Sequence, residues 1–301
     1  MPSDPEGPAV GPPVPGVPEG GVRDAEVPDD VAVEGAGDLA ASAETPAVEL
    51  DDIHVAFGGN VVLDGVSLSV GRGFTGLIGP NGAGKTTCLN VISGYLRPDT
   101  GTVRLGGREI TGRPPNRVAE LGVSRTFQAP RLVPNLSAVA NVLVGAHRHF
   151  RRGHFAELFG SRPARRQERE QEDRARELLD TFGLGADADR PAGAFPIGSQ
   201  KIIEVSRALL NDPSLALLDE PAAGLGAEDV DRLVTGLTAW VGRSDGAVVI
   251  IEHDLGLISR LCPQVAVLHF GRIIRSGRPD DVLHDDVVVE AYLGADFVVD
   301  R

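Results

Sequence analysis

Between residues 48 and 79 the apolar positions fall into three short runs, VELDDIHVAF (48–57), VVLDGVSLSV (61–70) and FTGLIG (74–79). Each is rich in β-branched side chains and bounded by glycine, and each predicts a strand. The period then changes, and residues 85–92 predict a helix. Turn residues Asp99, Thr100 and Gly101 lead into another strand, TVRLGG (102–107), and further elements run from Pro114 to Phe127. From about Leu136 to Leu184 the pattern is helical, and in ARRQEREQEDRARELLDTFGL (164–184) Leu178, Leu179 and Phe182 supply the apolar face. Strand signals return in LALLD (215–219), AVVIIE (247–252) and VAVLHF (265–270). Alternation of this kind predicts an α/β fold with a largely parallel, helix-covered sheet.

The first 46 residues stand apart. They hold nine of the 22 prolines and ten acidic residues against the single base Arg23, a net nine of the chain's fourteen excess negative charges. Without apolar periodicity to offset ordering entropy, they are expected to form a disordered tail; an acidic docking arm is the alternative. The acidic balance argues against a broad nucleic-acid surface. The chain shows no basic start followed by an apolar run, and no apolar stretch near the roughly 18 residues of a spanning helix. Cys88 and Cys262 lie far apart, without the density of a disulfide scaffold or the spacing of a zinc site, so a cytosolic location is expected. Lys85 and Lys201 are the only lysines among 29 basic residues, an arginine bias given no functional weight. HRHFRRGH (147–154) is expected to be a solvated basic face, with contact to anionic lipid headgroups as the alternative reading.

The chemistry is concentrated in a few stretches. Gly79-Pro80-Asn81-Gly82-Ala83-Gly84-Lys85-Thr86, followed by Thr87, fits G-x-x-x-x-G-K-[ST] between a predicted strand and a predicted helix. Glycines let backbone N–H groups turn onto phosphate oxygens, the helix N-terminus adds a favourable dipole, Lys85 neutralises phosphate charge, and Thr86 can ligate Mg²⁺. Asp219 and Glu220 close an apolar run that fits a buried strand. Asp219 can hold Mg²⁺, and Glu220 can accept a proton from, or orient, an attacking water. His253, at the end of the next strand, can bond phosphate or water.

In this order the motifs resemble the ABC transporter ATPase family over roughly residues 47–294. The resemblance implies a P-loop NTPase core with an antiparallel β subdomain and an α-helical subdomain at about 134–212 inserted in the core, all within residues 47–301. It also implies ATP and Mg²⁺ as ligands. By the same resemblance Phe57 stacks on adenine, Gln128 of RTFQAPR is a loop glutamine at the metal and the water, and His253 is a switch histidine. Residues 195–199, with Gln200, then occupy the place of the LSGGQ signature. RTFQAPRLVPNLSAVANVLVG (125–145), LLDEPAAGL (217–225) and VVVEAYLG (287–294) look like the ATP-binding subunits of branched-chain amino acid importers.

The signature departs from LSGGQ at Pro196, Ile197 and Ser199, while Gly198 is kept; Gly226 stands where many relatives have aspartate. The resemblance implies that FPIGS serves the nucleotide of a neighbouring chain. Pro196 lacks the hydroxyl of the usual serine, and Ser199 is expected to be the N-cap of the following helix. The function expected is an ATPase subunit at the cytoplasmic face of the plasma membrane. It would work with transmembrane permease subunits, a second ATPase subunit, identical or different, and indirectly a solute-binding protein. A nucleotide-dependent regulatory or assembly module with little hydrolysis is the alternative.

Overall fold

The computed structural model describes residues 45–127, 130–146 and 162–297. The acidic tail to residue 44, Gln128 and HRHFRRGH therefore lie outside the described residues. The strands are β1 (Val48–Phe57), β2 (Asn60–Val70), β3 (Gly73–Ile78), β4 (Thr100–Leu105), β5 (Arg108–Glu109), β6 (Val123–Arg125), β7 (Leu215–Asp219), β8 (Ala247–Ile251), β9 (Gln264–His269) and β10 (Arg272–Gly277). The helices are α1 (Lys85–Ile92), α2 (Pro115–Glu120), α3 (Ala138–Leu143), α4 (Arg162–Thr181), α5 (Ile197–Leu209), α6 (Ala227–Arg243), α7 (Leu255–Leu261), α8 (Pro279–Leu283) and α9 (Asp286–Phe297).

Two sheets form. The smaller has the order β2-β1-β4-β5 and is antiparallel throughout. The larger has the order β10-β9-β3-β8-β7-β6; it is parallel except for the β9–β10 edge. Every residue of β7 and β8 is buried, as continuous apolar strands require when both faces are covered.

Strand alternation divides the core. Ala216 and Leu218, Val248 and Ile250, and Val265 and Val267 join one cluster with α4, α5 and α6. Leu215 and Leu217, Val249 and Ile251, and Ala266 and Leu268 join another with α1, β1 and β2. Successive side chains point to opposite faces of a strand, so one central sheet is wedged between a helical layer and the antiparallel sheet.

Among the described residues of the helical stretch, α3 runs into a single 3-10 turn at Val144–Ala146, and α4 spans Arg162–Thr181. Leu178, Leu179 and Phe182 are buried, as their spacing predicts. Phe182 lies against Gly236 of α6, where an added Cβ would meet the ring at 2.1 Å. Gly236→Ala would gain about 1 kcal/mol of helix propensity but incur about 1–3 kcal/mol of overpacking. The expected net result is a lower denaturation midpoint with an unchanged m-value in chemical unfolding.

Candidate functional site

The C-terminal ends of β3, β7 and β8 lie side by side, since Gly76 pairs with Ile250 and Asp219 with Ile251. This is the edge where open α/β sheets bind ligands, and the phosphate-loop motif issues from it. Gly79 has φ 146, and a Cβ there would sit 2.0 Å from the Leu268 carbonyl oxygen, so only glycine lets the loop leave β3 against β9. Gly84, at φ 104, is the N-cap of α1, and Lys85 is the helix's first residue. Pro80, Asn81, Gly82 and Ala83 form the turn between. Gly271 of the β9–β10 turn donates to the Ala83 carbonyl at 3.0 Å.

Lys85 is 7 % exposed, and its Nζ donates to the carbonyls of Gly79 at 2.6 Å and Pro80 at 2.9 Å. Burial pushes its pKa down, while the charges of Glu220 and Asp219 pull it up. Thr86 is exposed and Thr87 half-buried in the first turn of α1. Phe57, at the end of β1, is 53 % exposed, a free aromatic face at the rim of the smaller sheet.

Asp219 is the last residue of β7 and is buried. Its N–H donates to Thr126 Oγ1 at 3.1 Å, and its Oδ2 accepts from the Arg125 guanidinium at 3.2 Å. Arg125 also donates to Asn90 Oδ1 at 2.6 Å and Ser93 Oγ at 3.0 Å. The rings of Tyr95 and Phe127 flank it at 5.9 and 5.5 Å. Burial pushes the Asp219 carboxyl up and Arg125 down despite their mutual attraction. Asp219 Oδ1 is buried and has no hydrogen-bond partner among the described residues. A lone carboxylate oxygen beside a phosphate loop with an exposed Thr86 hydroxyl suits Mg²⁺, whose remaining ligands would be water and phosphate oxygens. No group of three or more His, Cys, Asp or Glu able to hold a metal occurs among the described residues.

Glu220 follows at φ 51, a left-handed conformation that costs a non-glycine residue on the order of 1–3 kcal/mol. Its N–H donates to Ile251 O at 3.0 Å. Its Oε1 lies 3.1 Å from His253 Nε2. The pair is partly exposed, as contact with a water and a terminal phosphate would require.

The signature forms the start of α5. Pro196 is at the N-cap, with φ −56 and ψ 155, and Ile197 opens the helix. The expectation that Ser199 caps the helix is therefore corrected: Ser199 lies inside the first turn and is buried. Proline's fixed φ and missing N–H suit the helix boundary, which moves the start three residues earlier. Gln200 turns back, donating from Nε2 to Phe195 O at 2.9 Å. Gly198 packs so closely on α6 that a Cβ would lie 2.2 Å from Asp229 Oδ2. Ile197 is 59 % exposed, leaving an open helix N-terminus with an apolar side chain beside it.

Sequence reasoning missed three charged groups here: Arg125, Lys201 and Glu252. Each ends or follows an apolar or motif segment whose neighbours drew the attention. Lys201 lies on the carbonyls of Glu220 and Ala223.

The ABC transporter family model matches residues 63–223, over half of the chain. The chain belongs to the ABC transporter family. Among curated ABC proteins it is 37 % identical over 250 residues to the high-affinity branched-chain amino acid transport ATP-binding protein BraF of Pseudomonas aeruginosa, covering 83 % of this chain and 98 % of that one. It is 32 % identical to LivG of Escherichia coli, a protein of the same description, with the same coverage. Among solved ABC structures, the ADP conformation of an ATP-binding cassette superposes with TM-score 0.71 at 31 % identity, covering 83 % of this chain and 99 % of the other. A nucleotide-free cassette gives TM-score 0.70 at 30 % identity, covering 82 % and 98 %.

Proposed function

We propose that this chain is the ATP-hydrolysing subunit of an importer for branched-chain or related amino acids. The observation that supports the reading most directly is the Glu220–His253 pair at 3.1 Å, beside a phosphate loop whose lysine feels both acids. A module that only bound nucleotide would have no use for that pair. Similarity to BraF and LivG supports the choice of cargo class.

The phosphate loop binds the triphosphate through its backbone N–H groups. Lys85 exchanges its two carbonyl partners for β- and γ-phosphate oxygens, a stronger charge-assisted contact. Phe57 stacks on the adenine. Thr86, Asp219 Oδ1 and Gln128 would hold Mg²⁺, which when bound supplies charge neutralisation at the β- and γ-oxygens. Glu220 orients a water in line with the γ-phosphorus and accepts its proton; His253 holds the carboxylate in that pose and meets the γ-phosphate. The N-terminus of α5, which spans the signature Pro196 to Gln200, would turn the first-turn N–H groups of Ile197, Gly198 and Ser199 to the nucleotide of a second copy or a homologous ATPase chain. Closure of the two chains around ATP shifts the membrane partners to another conformation.

Among the described residues no helix is long and apolar enough to cross a membrane. The reading includes separate transmembrane permease subunits that hold this chain at the cytoplasmic face of the plasma membrane, and through them a solute-binding protein. The test is co-purification with the permease and binding protein, ligand identification, and steady-state ATPase assay. Hydrolysis should rise when the binding protein carries a branched-chain amino acid; hydrolysis indifferent to permease and loaded binding protein would overturn the reading.

A further inference from the structure

Glu220 sits in a strained backbone conformation, and the residues after it, 221–224, form a turn outside any strand or helix. The segment 220–223 is instead gripped from two sides. On one side Lys201, the fifth residue of α5, places Nζ 2.5 Å from Ala223 O and 3.4 Å from Glu220 O. On the other, Glu252 is 3 % exposed and accepts from Ala222 N–H through Oε1 at 2.6 Å and from His253 N–H through Oε2 at 3.3 Å. Burial pushes the Glu252 carboxyl up, while these two N–H groups and the Lys201 charge oppose it. One carboxylate thus bridges the backbone of the Glu220 segment to the backbone of His253, and one ammonium bridges the same segment to the signature helix.

We propose that Lys201 and Glu252 are positioning residues for hydrolysis, acting as a clamp that aims Glu220 at His253 and ties that aim to α5. The inference rests on the reading of α5 as the element that meets the neighbouring chain's nucleotide. When the N-terminus of α5 seats on that nucleotide, Lys201 carries the seating to the carbonyl of this chain's own Glu220. The two ATP sites are coupled through a side chain that touches neither nucleotide. Glu252 fixes the far end, so that movement of residues 220–223 carries His253 with it.

The test uses the full chain assembled with its permease, with four variants: Lys201→Met, Lys201→Arg, Glu252→Gln and Glu220→Gln. Measured quantities are kcat, KM for ATP, the Hill coefficient, fluorescent-nucleotide affinity and the thermal midpoint. Lys201→Met is expected to lower kcat about tenfold or more and to bring the Hill coefficient toward one, with nucleotide affinity and thermal midpoint nearly unchanged. Lys201→Arg, which keeps a cation and several donors, should restore most of both. Glu252→Gln keeps one acceptor oxygen and presents an amide N–H₂ to the second N–H group, so kcat should fall with KM held. If Lys201→Met leaves kcat and the Hill coefficient at wild-type values while Glu220→Gln is inactive, the clamp is wrong and the hydrolytic reading stands. A Lys201→Met loss of kcat matched by equal losses of nucleotide affinity and thermal midpoint likewise overturns it, as general damage. Normal hydrolysis by Glu220→Gln would instead remove the reading on which the clamp depends.

Discussion

Glu220→Gln in the assembled complex is expected to lower steady-state ATP turnover by roughly two to four orders of magnitude, the range removed with a positioned general base, while nucleotide binding persists. The substitution is nearly isosteric. It keeps the left-handed backbone at residue 220, the N–H bond to Ile251 O and the shape that meets His253. What it removes is the ability to accept a proton from water. The groups proposed to grip the nucleotide, the phosphate-loop N–H groups, Lys85 and Phe57, are untouched. Removing a negative charge near Lys85, whose pKa Glu220 pulls up, also lessens repulsion of the γ-phosphate, so ATP should bind at least as tightly as in wild type. Turnover is read by phosphate release and affinity by titration with a fluorescent ATP analogue. Near-normal turnover would take Glu220 out of its role and shift attention to His253 as the group that acts on water.

Much of this architecture could be read from the sequence because it follows from local pattern. β1 and α1 match their predicted limits, and the apolar runs at 215–219 and 247–251 form the buried parallel strands they suggest. The phosphate loop was readable because glycine, lysine and threonine at fixed spacing answer a single chemical requirement. The signature's start was misjudged because a serine near a helix start is a frequent cap, whereas Pro196 sets the boundary by its fixed backbone. The helical pattern read over about 136–184 is met, among the described residues, by α3, the 3-10 turn that follows it and α4. Arg125, Lys201 and Glu252 had no local signal at all. Their partners lie at Asp219, Ala223 and Ala222, and only tertiary folding brings β6, α5 and the end of β8 to the same segment. Charged residues in such places look like ordinary surface residues until their burial is known.

Arg125→Met is expected to have the largest effect on stability. The pair it breaks is deeply buried, with side chains 7 % and 2 % exposed for Arg125 and Asp219. Breaking such a pair from one side leaves an uncompensated charge and costs about 3–5 kcal/mol, on the order of 10 °C in thermal midpoint for a domain of this size. Replacing both members is a different matter. Burial already pushes Asp219 up and Arg125 down in spite of their attraction, so desolvation outweighs what the ions return to each other. Arg125→Met combined with Asp219→Asn should therefore regain most of the lost stability. A coupling energy above about 1 kcal/mol in the double-mutant cycle, measured by chemical unfolding, is the expected signature. The double variant should nonetheless fail to hydrolyse ATP, because the amide lacks the anionic oxygen that Asp219 Oδ1 offers. A single variant that unfolds within about 1 °C of wild type would mean that none of the guanidinium's contacts, to Asp219, Asn90 or Ser93, holds this region together. An ion pair that brings little net stability yet holds one carboxylate oxygen and leaves the other unpartnered fits the proposal that the pair keeps a charge in place for Mg²⁺.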